Sequence, residues 1–188
     1  MIDNQDMKDA LAALRNGDVI LYPTDTVWGL GCDATNNEAV EKLRKLKGRS
    51  AGKAMLVLVD SVQTLERFVE NIPEIAYTLI DTTSEPLTII YDKGIGFADH
   101  VQSEDGSIGI RVTSEPFSKE LCRRFGKPLI STSANMAGEI TPANFSQISE
   151  NVKNSVAYVV KTGQEDAVEH LPSHIMKVSE GGVIKIIR

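Results

Sequence analysis

Cysteine is scarce. The 188 residues hold two, Cys32 and Cys122, far apart and in no CxxC pair. That argues against a disulfide framework or a zinc ribbon and fits a reducing, cytoplasmic setting. Long apolar runs are missing too, so no segment reads as a membrane helix. The opening MIDNQDMKDALAAL lacks a basic stretch ahead of its apolar residues and is not read as a secretory leader. Positive charge is also short. Lys and Arg number 20 against 26 Asp and Glu, a formal net charge of −6, the opposite of a protein that coats its surface with RNA. An anionic ligand must therefore be met by a local cluster of cations, which points first to a small-molecule pocket. Neither GxxxxGK[ST] nor GxGxxG occurs, so no Walker or Rossmann loop is present. No Ser sits in a GxSxG elbow, and His100, His170 and His174 show no metal-ligand spacing. Without repeats, low-complexity tracts or a Pro/Gly/Ser linker, residues 1–188 read as one domain.

What is present is an ordinary soluble balance, 41% hydrophobic and 24% charged. Met7, Leu11 and Leu14 recur at helical spacing, with Gly17 where a C-terminal cap belongs. Asn36 or Asn37 starts a second helix carrying Val40, Leu43 and Leu46. Ser61 caps a helix through Leu65, Phe68 and Val69, Pro73 sits in the first turn of another, and Ser114 caps one with Phe117, Leu121 and Phe125. A weak helix covers residues 143–151. Continuous apolar runs at 19–22, 55–59, 87–91, 108–112, 128–131 and 156–160 read as buried strands, and 174–178 with 183–187 form a hairpin about Gly181-Gly182. Helices alternating with such strands give an α/β fold, and the hairpin implies a mixed sheet.

Four segments break this plain pattern. YPTDTVWGLGCDA, residues 22–34, puts hydroxyls at Thr24 and Thr26 after a strand, with Gly29 and Gly31 allowing close backbone approach; it also reads as a capped turn beside a tight strand crossing. KLKGRS, residues 45–50, sets Lys47 and Arg49 about Gly48 at a helix end. That is a phosphate clamp or a solvated basic terminus. In SIGIRV, residues 107–112, Arg111 stands in a run that wants burial and needs an anionic partner, either a ligand or a core carboxylate. PLISTSANMAG, residues 128–138, gathers Ser131, Thr132, Ser133 and Asn135 at a strand's carboxyl end, where open α/β sheets place ligands and where a polar turn would look similar.

YPTDTVWGLGCDA, KGR, GIRV and STSAN, in this order and spacing, resemble the YrdC/TsaC family from about Gly17 to Arg188. The resemblance implies a single-domain twisted mixed sheet with flanking helices around a deep basic cavity. It implies an L-threonylcarbamoyladenylate synthase, a nucleotidyltransferase that makes threonylcarbamoyl-AMP and pyrophosphate from L-threonine, bicarbonate and ATP. The family's KxR and SxN tetrad matches Lys47, Arg49, Ser133 and Asn135, which the resemblance makes catalytic. It gives ATP to Lys47, Arg49, Asn135 and Arg188, and threonine to Thr24, Arg111, Ser133 and Ser173. Mg2+ is expected to arrive on ATP, with no dedicated protein metal site. Downstream threonylcarbamoyl-transfer proteins would pass the product to tRNA. The departures are Ser50, Ala54 and Met55 where prolines and leucine are usual, Trp28 for Tyr, and His174 for Thr. Two alternatives stand beside this enzyme: a non-catalytic module binding double-stranded RNA, and an ATP-binding regulator of the same fold.

Overall fold

A computed structural model describes residues 3–48, 55–168 and 170–188. Arg49, Ser50 and Ala54 lie outside the described residues. The helices are α1 (Asn4–Arg15), α2 (Asn37–Lys47), α3 (Val62–Glu66), α4 (Glu74–Thr82), α5 (Pro116–Phe125) and α6 (Glu150–Asn154). The strands are β1 (Ile20–Tyr22), β2 (Gly29–Gly31), β3 (Leu56–Val59), β4 (Leu87–Tyr91), β5 (Ile108–Val112), β6 (Leu129–Ser133), β7 (Tyr158–Val159), β8 (His174–Val178) and β9 (Ile184–Ile186). They form one mixed sheet in the order β7-β1-β2-β6-β3-β5-β4-β8-β9. The β3–β5, β4–β8 and β1–β7 pairs are parallel and the rest antiparallel.

Each helix buries the stripe its sequence dictates. In α1, Met7, Ala10, Leu11 and Leu14 are buried, and Asp3 accepts from the amides of Gln5 and Asp6 as N-cap. Asn36 caps α2 in the same way, and Gly48 closes it in the left-handed conformation at φ 59°. The cap of α5 departs from expectation. It is Glu115, whose carboxylate accepts from the amides of Phe117 and Ser118 at 2.9 and 2.6 Å. Pro116 forces the residue before it into extended backbone, so the chain enters the helix one residue later than Ser114. The α3 helix also stops early, at Glu66, and Val69 instead bridges to Gly94. Residues 143–151 resolve into a 3-10 turn, Phe145–Gln147, and the start of α6.

The strand β2 went unread in the sequence because two of its three residues are glycine. Gly31 is required by its neighbours, and Gly29 sits where a side chain would be tight. A Cβ on Gly31 would lie 2.5 Å from the Ile130 carbonyl oxygen and from the Tyr22 ring. One on Gly29 would lie 3.1 Å from Ser131 Oγ. Tyr22 is buried against this strand and donates its hydroxyl to the Ile130 carbonyl at 3.1 Å. Burial pushes its phenol above the usual range.

One row of the sheet places everything that follows. Ser131 pairs with Leu56, Leu56 with Gly109 and Gly109 with Ile90, so these four residues share a face across β6, β3, β5 and β4. Arg111, two residues beyond Gly109, projects from that face as well.

Candidate active site

A cavity of about 290 Å3 opens on this face. The chain between β1 and β2 supplies Thr26 and Val27, and β2 supplies Gly29; β6 supplies Ser131, Thr132 and Ser133; β5 supplies Arg111. Ser173 and Arg188 come from the two ends of the β8–β9 hairpin, and Leu56, Thr141 and Pro172 complete the lining. Of the residues expected from sequence, Arg111, Ser133, Ser173 and Arg188 therefore meet in one place.

Arg111 has the core partner its burial demanded, and it is Asp25. Their side chains are 3% and 6% exposed, with Arg111 Nε 3.0 Å from Asp25 Oδ1. The N–H is not aimed at that oxygen, so neither atom has a hydrogen-bond partner and the contact is ionic. Asp25 Oδ2 accepts from the Ser114 amide at 3.3 Å. Burial pushes the Arg111 guanidinium below its usual range, opposed by Asp25 and reinforced by the like charge of Arg188. Arg111 Nη2 donates to Thr26 Oγ1 at 3.2 Å. Thr26 faces Thr24 Oγ1 at 3.1 Å, and Thr24 donates its own proton to the Val27 carbonyl at 2.8 Å. Thr24 thus has no proton left for a ligand and does not line the cavity; Thr26 presents the hydroxyl there.

Lys47 is 7% exposed, and its ammonium donates to the carbonyls of Ser133, at 2.7 Å, and of Asn135. It ties the end of α2 to the turn after β6. Asn135 folds the same turn, donating from Nδ2 to the carbonyls of Met136 and Glu139, both at 3.0 Å. Asn135 Oδ1 is buried and without a hydrogen-bond partner. Lys47 and Asn135 therefore shape the turn, while Ser133 lines the cavity.

Arg188 is held by main chain and side chain. Its amide donates to the Ile175 carbonyl at 3.2 Å, and its guanidinium donates through Nε and Nη2 to the Ser173 carbonyl at 3.2 and 3.1 Å. Ser173 Oγ lies 2.9 Å from Thr88 Oγ1. His174 points elsewhere, its Nε2 2.6 Å from Glu85 Oε2. Trp28 is buried and packs at a tilt of 53° against Phe145, with 4.8 Å between centroids.

Sequence reasoning missed Asp25 and Thr141 as contributors, and it named the Thr26 hydroxyl without giving it a ligand. Asp25 was signalled, since a carboxylate lies between Thr24 and Thr26 in that short segment and Arg111 called for an anion. Thr141 carried no signal, since it lies in an irregular stretch after the STSAN turn.

The chain matches the model of the Sua5/yciO/yrdC family, described as telomere recombination, over residues 12–188. It is 32% identical to the threonylcarbamoyl-AMP synthase of Pseudoalteromonas translucida, covering 85% of this chain and 87% of the relative. It is 39% identical to that of Coxiella burnetii, covering 72% and 73%. The solved structure of P. abyssi Sua5 complexed with L-threonine superposes on all of this chain with a TM-score of 0.87 at 22% identity, the chain spanning 55% of that structure's length.

Proposed function

The chain belongs to the Sua5/yciO/yrdC family, and from that premise we propose that residues 1–188, as one YrdC-like domain, make threonylcarbamoyl-AMP from L-threonine, bicarbonate and ATP. The observation that carries this reading is the convergence of Arg111 and Arg188 on one hydroxyl-lined cavity in a chain of net charge −6. Two guanidiniums beside Thr26, Ser133 and Ser173 match a carboxylate or phosphate together with a small polar group.

Threonine's amine adds to the carbon of bicarbonate with loss of water. A carbamate oxygen then attacks the α-phosphorus of ATP, the bond to the β-phosphate breaks, and pyrophosphate leaves with the bonding pair. The protein's task in such a step is positioning and electrostatics. Arg111, Thr26, Ser133 and Ser173 hold threonine. Arg188 and, on the strength of the family resemblance, Arg49 take ATP. Lys47 and Asn135 keep the turn that presents Ser133. Among the described residues no group of three or more His, Cys, Asp or Glu is placed to hold a metal ion. Magnesium is taken to come with the triphosphate and to keep waters of its own, as the family resemblance implies. The product goes to threonylcarbamoyl-transfer proteins that act on tRNA. Among the described residues no helix is long and apolar enough to cross a membrane.

A double-stranded RNA module is not favoured, because Arg111 and Arg188 line a cavity of small-molecule size in a chain of net charge −6. Turnover separates the enzyme from an ATP-binding regulator. ATP consumption that requires both L-threonine and bicarbonate and yields threonylcarbamoyl-AMP supports the enzyme; ATP binding without turnover supports the regulator.

Arg188→Ala is expected to raise the KM for ATP about tenfold or more, the equivalent of one charge-assisted hydrogen bond. Its melting temperature should barely move, since an exposed side chain rarely contributes more than about 0.5 kcal/mol. An unchanged KM in steady-state kinetics removes Arg188 from the site.

A further inference from the structure

Asp6 stands on the apolar stripe of α1 with Met7, Ala10, Leu11 and Leu14 and is buried with them, at 2% exposure. A carboxylate in the first turn of a helix is ordinary where it faces water. Buried on a stripe that otherwise packs, it costs stability unless its lone pairs are met. Here they are met. Asp6 Oδ1 accepts from the Tyr158 hydroxyl at 2.8 Å and from the Lys161 amide at 2.9 Å. Asp6 Oδ2 accepts from the Thr162 amide at 2.7 Å and from the Thr162 hydroxyl at 2.5 Å.

All four donors are neutral, and all belong to β7 or the turn that follows it. Burial works to raise the Asp6 carboxyl, but the amides of Lys161 and Thr162 and the two hydroxyls outweigh it and hold the group below the usual carboxylate range. An ionised carboxylate offers about four acceptor sites and no proton, so it suits four converging donors. An asparagine would turn protons of its own toward them. The stripe of α1 by itself calls for an apolar side chain. What Asp6 adds is a tie from α1 to the backbone at 161 and 162.

That turn leans on the cavity wall. A Cβ on Gly163 would meet Pro23 Cβ at 3.8 Å and Trp28 Cζ2 at 3.9 Å, so the backbone there lies against both. Pro23 and Trp28 bracket the loop that carries Thr24, Asp25, Thr26 and Val27. Thr26 and Val27 line the cavity, and Asp25 and Thr26 hold Arg111. The Trp28 carbonyl also accepts from the Ala134 amide at 3.0 Å, next to Ser133. We propose that Asp6 is a positioning residue for threonine: it pins the turn at 161–163, which backs the loop at 23–28 and so sets Thr26 and Arg111 in the cavity. This rests on the reading of that cavity as the threonine site of a synthase.

Asp6→Asn keeps the size of the side chain and spoils the fit to its donors. Trp28 is the chain's single tryptophan, so its emission reports on the loop. Calorimetry with L-threonine and with ATP, read beside that emission, tests the role. The variant should bind threonine about tenfold more weakly, the worth of one hydrogen bond from a displaced hydroxyl. It should bind ATP as the parent does, with the Trp28 emission shifted to the red. Leu14→Ala, at the far end of the same stripe, is the control: it loses packing and should leave threonine affinity and Trp28 emission as they are in the parent. Unchanged threonine affinity in Asp6→Asn overturns the role. So does an equal loss for ATP or an equal loss in Leu14→Ala, either of which marks Asp6 as supporting the fold alone. A parent that binds no threonine defeats the synthase reading itself, and the role with it. Should the Asn variant not fold, Thr162→Val removes one donor from the same contact, with threonine expected to bind about threefold more weakly and an unchanged affinity again overturning the role.

Discussion

Asp25→Ala is expected to destabilise the fold by about 3–5 kcal/mol and to abolish activity, because it leaves the Arg111 guanidinium buried without its counter-charge. Both side chains are almost fully buried and 3.0 Å apart. Their attraction offsets the desolvation each has already suffered, and removing one partner leaves the other's desolvation uncompensated. Asp25 also accepts from the Ser114 amide, so the same change loosens the exit of β5. A double variant separates charge from packing. Asp25→Ala with Arg111→Met removes both charges, and such replacements are often neutral in stability. It should recover at least about half of the lost stability in urea titrations and remain inactive, since the cavity has lost its guanidinium. A single variant within about 1 kcal/mol of the parent would show that water already screens the pair.

Lys47→Met carries the second large effect. Methionine keeps the unbranched stem but takes the charged donor from the carbonyls of Ser133 and Asn135. Two partly buried carbonyls deprived of an ammonium amount to about 2–3 kcal/mol. The turn that presents Ser133 should then lose its geometry, with turnover falling about a hundredfold or more, as small misplacements at a reacting centre do. Lys47→Arg is not expected to rescue it, because a planar fork does not fit where a compact ammonium bridges two carbonyls. Thermal melts beside steady-state rates decide the matter. A variant as stable as the parent but inactive would return Lys47 to direct phosphate contact.

The sequence carried the fold well wherever apolar runs were long. The strands at 87–91 and 108–112 appear with those bounds, and the hairpin about Gly181-Gly182 pairs β8 with β9 as its turn residues implied. It was silent where pairing and not propensity makes the strand. Gly29–Gly31 has no side-chain pattern to read, and its place between β1 and β6 follows from contacts made by Tyr22 and Ile130. The α5 cap shows a local rule overlooked: Pro116 sets the helix start, so the residue just before it takes the cap.

The site was legible as a set of segments, less so as a set of roles. Arg111, Ser133, Ser173 and Arg188 reach one cavity although more than 70 residues separate the first from the last. Roles depend on which way a hydroxyl or ammonium turns, and sequence does not encode that locally. Thr24 and Thr26 are two residues apart and chemically identical, yet one spends its proton on a carbonyl while the other faces the cavity. Lys47 resembles a phosphate ligand in its motif, and only the fold shows the Ser133 and Asn135 carbonyls that it meets.

The most direct measurement is pyrophosphate release from ATP by the unmodified chain, with L-threonine and 13C-bicarbonate added separately and together. The account predicts release only when both are present, with the label recovered in a threonyl-linked adenylate by mass spectrometry. Release that ignores threonine, or an adenylate without the label, would contradict it.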